Sequence, residues 1–220
     1  GHAEDAWALS GSLTGFRTDG VSKAAAGTEA DGFETWTATV GGRAGAFDGR
    51  LRYTDSDIDI DGFPAPDFPL GDTPNRNTSR AWSAFARAGF DALGLTHQVS
   101  LSGYRIEREG TASSFDADRT VLRWTAETEG LVLGAERQVT EADLSGRVQE
   151  DLSVTSAFAV ARRAWGPVTL TASVRHDDPD RFRAKTTGRL SAAWDVGGGV
   201  MLTGSAGTGF KIPTISQFAC

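Results

Sequence analysis

Val168–His176 reads VTLTASVRH. Val168, Leu170, Ala172 and Val174 fall on one side of an extended chain, and Thr169, Thr171, Ser173 and Arg175 on the other. One apolar and one polar row at a period of two mark a strand whose two faces meet different surroundings. The split recurs in both directions along the chain. LTHQVSLSGY (95–104) sets Leu95, His97, Val99 and Leu101 against Thr96, Gln98, Ser100 and Ser102. LSVTSAFAVA (152–161) sets Leu152, Val154, Phe158 and Val160 against Ser153, Thr155, Ala157 and Ala159. GRLSAAWDV (188–196) sets Leu190, Ala192, Trp194 and Val196 against Arg189, Ser191, Ala193 and Asp195. Helical periodicity is scarce.

About eleven such strands are predicted, each long enough for the ~9–11 residues of a tilted membrane strand. They begin near Trp7, Glu34, Arg50, Arg80, Leu95, Asp118, Leu131, Leu152, Val168, Thr186 and Val200. Tight connections (AFDG, DALG, TEG, AWGP, VGGG) take turns with long polar ones at Thr18–Gly32, Ile58–Ser79, Glu107–Ala117, Thr140–Asp151 and Asp177–Lys185. That rhythm is foreign to a soluble sandwich. It fits an outer-membrane barrel with short periplasmic turns and long extracellular loops. Trp7, Trp36, Trp82, Trp165 and Trp194 stand near strand ends, where an indole sits at headgroup level; Trp124 lies further inside its strand. The apolar rows are therefore expected to face lipid and the polar rows the lumen. Arg123, Arg175 and Arg189 read as solvated lumen charges with no assigned ligand.

Composition agrees. Hydrophobic residues make up 39% of the 220, glycine is high at 27, and the net charge is −7. An acidic chain lacks the concentrated basic face that nucleic-acid binding wants. Cys220 is the only cysteine, so there is no disulfide and no cysteine metal cluster. No apolar run approaches the ~18 residues of a spanning helix, which leaves strands as the only way across. The opening GHAEDAW, without Met or leader, reads as an excerpt or a processed chain.

The acidic run YTDSDIDIDGF (53–63) needs a separate reading. Asp57, Asp59, Asp61 and Gly62 match the opening of a helix-loop-helix calcium loop, but its twelfth position, which needs a glutamate, is Phe68. Pro64, Pro66, Pro69 and Pro74 then forbid a following helix. The run is expected to rise from a strand into an outer loop, with Asp67 and Asp72 on the returning limb. Enzyme chemistry has no support: His2, His97 and His176 are scattered, His176 beside Asp177 and Asp178 reads as a surface group, and no nucleophile motif stands out. The chain is read as a non-enzyme.

Three segments resemble TonB-dependent outer-membrane receptors. GFRTDGVSKAAAGTEADGFETWTATVGGRAG (15–45), with Thr18, Asp19 and Gly20, then Glu29, Asp31, Gly32 and Phe33, is similar to the early barrel of the cobalamin-receptor branch. LRYTDSDIDIDGF (51–63) resembles the next strand and its acidic loop. The stretch 174–218 resembles a later part of the barrel. It ends in Gly207, Thr208, Gly209, Phe210, Lys211, Ile212 and Pro213, similar to the Gly-Thr-x-aromatic-Lys/Arg-Ala-Pro pattern of these receptors, with Ile212 in place of alanine. Residues 88–163 match by strand pattern alone.

The resemblance implies an all-β, antiparallel, up-and-down transmembrane barrel of 22 strands in a Gram-negative outer membrane, of which residues 1–220 would be about half. The plug domain and the closing strands would lie outside the chain, and an unclosed sheet has edges that lipid cannot satisfy. Transport is therefore expected of a parent protein. It would bind a corrinoid at its outer loops and import it, drawing energy from the inner-membrane proton gradient through TonB, which acts on the plug. A ferric siderophore or other metal chelate is the alternative ligand, and a passive porin or structural barrel the alternative of another class. The resemblance also implies calcium, at Asp59 or Asp61 in the outgoing limb, Asp72 in the return, and Asp116 or Asp118 from the next loop. Glu107 and Glu109 stand there where the family has a tyrosine-aspartate pair.

Overall fold

A computed structural model describes residues 7–22, 30–62, 71–111, 113–145 and 148–218. Eleven strands form one sheet in chain order: β1 (Trp7–Thr18), β2 (Phe33–Ala44), β3 (Phe47–Gly62), β4 (Gly71–Ala92), β5 (Leu95–Glu109), β6 (Ser114–Thr128), β7 (Leu131–Leu144), β8 (Val148–Trp165), β9 (Val168–Pro179), β10 (Lys185–Gly197) and β11 (Val200–Gly207). A four-residue helix, α1 (Ile215–Phe218), follows. Among the described residues there is no second layer, and no large side chain is fully buried. Leu9, Leu13, Trp36, Leu51, Leu190 and Leu202 are all exposed. A soluble protein would bury these rows; here lipid covers them.

The tight turns lie where the sequence puts them. Gly198 and Gly199 both have positive φ, the backbone of a two-residue turn that suits the twist of paired strands. At the opposite ends the strands outrun the expectation. β4 begins at Gly71 rather than near Arg80, β6 at Ser114 rather than near Asp118, and β8 at Val148 rather than near Leu152. β3 runs on to Gly62. Much of the long polar connections is therefore strand that overhangs the membrane. The physical reason is that water, unlike lipid, does not require an apolar row. A polar stretch such as DSDIDIDG can keep its ladder of backbone hydrogen bonds above the bilayer.

The chain divides into two compact units. The first is Gly1–Ala86, Ser102–Arg119 and Glu141–Glu150; the second is Arg87–Leu101, Thr120–Thr140 and Asp151–Cys220.

In the first unit, register fixes the faces, because directly paired residues point the same way. Leu13 pairs with Ala38 and Ala38 with Tyr53; Val40 pairs with Leu51 and Ala44 with Phe47. This is the lipid-facing row. Trp36 lies flat over Gly15 in that row, leaving no room for a Cβ there. The other row carries hydroxyls that pair across strands: Thr37 with Thr54 at 3.2 Å and Thr35 with Ser56 at 2.8 Å.

In the second unit, Val168, Leu170, Ala172 and Val174 share the outward row with Trp194, Ala192, Leu190 and Gly188 of β10, as the sequence predicts. β8 is different. Its residues paired with that row are Trp165, Arg163, Ala161 and Ala159, whereas Phe158 pairs with Arg175 and Val160 with Ser173. The set Leu152, Val154, Phe158 and Val160 therefore faces inward, opposite to expectation. Alanines cover the lipid side. Both rows of β8 are apolar enough to pass, so the neighbouring strand decides.

Candidate functional site

Beyond the apolar band of the first unit, the outward row of β3 becomes acidic while its inward row supplies Ile58 and Ile60. Asp55 pairs in register with Trp36, and Asp57 with Glu34. β4 answers with arginines at the same spacing. Arg80 Nε lies 3.4 Å from Asp55 and Arg76 Nη2 2.8 Å from Asp57. Arg105 of β5 lies 2.8 Å from Glu107 and 3.9 Å from Asp118 of β6. The hydrogen bond to Asp57 raises Arg76 above the ordinary arginine range; the one to Glu107, helped by the charge of Asp118, does the same for Arg105.

A cleft of about 370 Å³ opens where these charges meet the end of the β1–β2 hairpin. Arg17 and Arg76 line it against Asp19, Glu34, Asp57 and Asp59, with Thr18, Gly32 and Phe33 completing the wall. The rim is held by Gly20. Its amide donates to Thr18 Oγ1 at 3.2 Å, its φ is +66°, and a Cβ there would collide with the Asp31 carbonyl oxygen. The Gly32 carbonyl in turn accepts from the Asp59 amide at 2.9 Å. Thr18, Asp19, Gly20 and the Asp31–Phe33 segment, far apart in sequence from the acidic run, are thus brought to one place. Glu29 lies outside the described residues.

The calcium candidates are more dispersed. Asp59 is exposed on β3. Asp61 accepts hydrogen bonds from Ser22 Oγ at 3.3 Å and the Thr73 amide at 3.4 Å. Asp118 is engaged by Arg105. Asp72 has its backbone in β4, but its side chain lies outside the described residues, as does Asp67. Among the described residues no three acidic, histidine or cysteine groups stand close enough to hold a metal ion.

The second unit carries a polar network that single-sequence reading missed. Arg123 of β6 donates through Nε to Glu136 of β7 at 2.6 Å. Arg175 of β9 reaches the other Glu136 oxygen at 3.0 Å and binds Asp177 at 2.8 Å. Ser156 of β8 donates to Asp177 at 2.7 Å and accepts from Arg175 at 2.8 Å. Arg175 also lies over the Phe158 ring, 5.8 Å from its centroid. Arg123 and Arg175 are thus bound into a four-strand lattice rather than being separate solvated charges. Arg189, by contrast, donates to the Ser205 hydroxyl at 2.8 Å. The missed signal was parity: each group of the lattice sits on the inward row, but only register brings them together.

The second unit also places the terminal motif. The Thr208 amide donates to the Gly188 carbonyl and its Oγ1 accepts from the Gly188 amide, at 2.8 and 3.1 Å. Gly207 has no room for a Cβ, which would come 2.8 Å from the Gly188 oxygen. Phe210 and Lys211 are exposed, and Ile212 and Pro213 half-buried, as the chain leaves β11 for α1.

A single up-and-down sheet with one lipid-facing row, tight turns at one end and overhanging polar hairpins at the other defines the wall of a membrane-spanning β-barrel. The chain belongs to the family described as TonB dependent receptor-like, beta-barrel, whose model matches residues 3–220. It is an outer-membrane, multi-pass β-barrel chain. It is 24% identical over 154 residues to the vitamin B12 transporter BtuB of Photobacterium profundum, a match covering 64% of this chain and 25% of that protein. The chain thus spans only part of the length of this relative. Among solved structures it is similar to the translocator domain of the autotransporter NalP from Neisseria meningitidis, at 14% identity and a TM-score of 0.33, over 91% of this chain and 81% of that one.

Proposed function

We propose that this chain forms part of the wall and outer hairpins of an active-transport receptor that captures a corrinoid outside the cell and imports it with TonB-supplied energy. The observation that carries the reading is the hairpin built around Gly20. There the segments resembling the cobalamin branch, Thr18–Gly20 and Asp31–Phe33, close on the acidic end of β3 to make the cleft. Similarity to a vitamin B12 transporter supports the same ligand. A plug and TonB belong to the proposal as partners of the full-length receptor. Nothing in the sites calls for enzyme chemistry; their polar groups are engaged in ion pairs and hydrogen bonds.

A ferric siderophore or other metal chelate is the second reading, because the motif from Gly207 to Pro213 is shared across receptors of either ligand. Binding of cyanocobalamin and of ferric siderophores to the full-length receptor separates the two. Saturable cyanocobalamin binding is the expected result, and siderophore binding alone would transfer the assignment. A passive porin would bind neither.

Calcium enters this proposal at one place. Asp59 and Asp61 of β3, with Asp72 across the hairpin, would hold it over the overhang, where it would order the loop for capture. Removing calcium from the full-length receptor is then expected to speed proteolysis within Ile58–Ser79. Unchanged cleavage would remove the ion from the reading.

A further inference from the structure

We propose that the outward face of the first unit is a docking belt for the phosphorylated headgroups of outer-leaflet lipid, with Arg76, Arg80 and Arg105 as its phosphate donors. Depth is the first argument. Tyr53 and Trp82 stack at 4.2 Å between centroids on the lipid-facing row, marking the edge of the apolar band. Arg80 lies two residues before Trp82 and Arg76 four residues further out, on the row that meets Asp55 and Asp57. Each two-residue step advances ~6.6–6.8 Å along a strand, and less across the bilayer once the strand is tilted. The headgroup layer occupies roughly 5–7 Å on each side of the hydrocarbon. Arg80 therefore stands in the headgroups and Arg76 at their outer margin.

Chemistry is the second argument. The side chains of Arg76, Arg80 and Arg105 are 61%, 56% and 54% exposed although each is ion-paired. A guanidinium has five N–H donors in a rigid fork, so donors remain for an oxyanion outside the wall. Phosphate accepts such a fork in bidentate fashion. The carboxylates hold the arginines flat along the wall and separate them from one another. That arrangement presents a row of fixed donors rather than a diffuse cationic patch. Charges so close to an apolar band face lipid headgroups, and phosphate is the headgroup chemistry that matches the free donors.

The test uses the full-length receptor purified from outer membranes, with phosphorylated glycolipid per protein measured by mass spectrometry. R76Q/R80Q/R105Q is expected to retain about tenfold less, as the loss of ~1.4 kcal/mol of charge-assisted bonding predicts. Retention equal to the unmodified receptor would overturn the proposal. Should the variant fail to fold, the unmodified receptor is melted in micelles containing bis-phosphorylated lipid A or its phosphate-free form. A higher midpoint with the phosphorylated lipid supports the belt; equal midpoints overturn it. Inorganic phosphate giving the full effect would overturn the assignment to lipid. Loss of all retained glycolipid on adding EDTA to the unmodified receptor would assign the contact to cation-bridged carboxylates, and so would overturn the arginine belt.

Discussion

Three residues show how little freedom the wall has at particular points. Gly20 combines a positive φ with a Cβ position that overlaps the Asp31 oxygen. Gly20→Ala would therefore incur the left-handed penalty of ~1–2 kcal/mol and also push the hairpin open. Proteolysis of the β1–β2 connection is expected to accelerate, with the band-spanning strands unaffected. Gly134 is limited by space: a Cβ there would overlap the Phe158 ring. Gly134→Ala should cost about 1–3 kcal/mol in unfolding free energy. That cost should vanish where Phe158 is already alanine, which a double-mutant cycle would detect. Leu93 is the converse case, with φ 54° and 95% exposure, so its backbone is strained while its side chain packs against nothing. Leu93→Asn, giving an Asn-Gly turn, is expected to stabilise by about 0.5–1 kcal/mol in thermal or denaturant unfolding.

At the scale of the strand, β8 gives the sharpest test. Ala159 pairs with Val174 on the lipid row, and Val160 with Ser173 on the inward row. Ala159→Arg should cost about 2–4 kcal/mol if the site is near the bilayer midplane, whereas Val160→Arg should cost far less. Folding into lipid vesicles measures both, and the reverse order would invert the face assignment. The turns and most strand starts were legible from sequence because alternation and Gly-containing turns are local. The overhangs were not. A polar segment above the bilayer can be loop or ladder, and the choice depends on whether the partner strand continues beside it. β3 and β4 do continue, which makes Ile58–Ser79 mostly strand.

For the molecule as a whole, the sheet order leaves β1 paired only to β2 and β11 only to β10, and both strands are exposed along their length. Each unpaired backbone group on such an edge costs several kcal/mol in hydrocarbon. Residues 1–220 produced alone are expected to stay out of lipid vesicles, as read by the absence of protease protection. Stable insertion of the isolated chain as a monomer would contradict this. The candidate site shows the same division between local and distant information. Thr18–Gly20 and the aspartates were visible as motifs, but the cleft exists only because the β1–β2 hairpin closes on β3. The Arg123–Glu136–Arg175–Asp177 network draws on β6, β7 and β9, and no window of sequence contains it.

By itself the sequence determined the number of strands, the order of tight and long connections, and the family. All three follow from nearest-neighbour chemistry: a period of two, turn residues with the required φ, and contiguous motifs. Tertiary structure alone decided which row of β8 meets lipid, how far the ladders rise above it, and which charges neutralise one another. A strand always offers two rows, and pairing with the next strand selects between them.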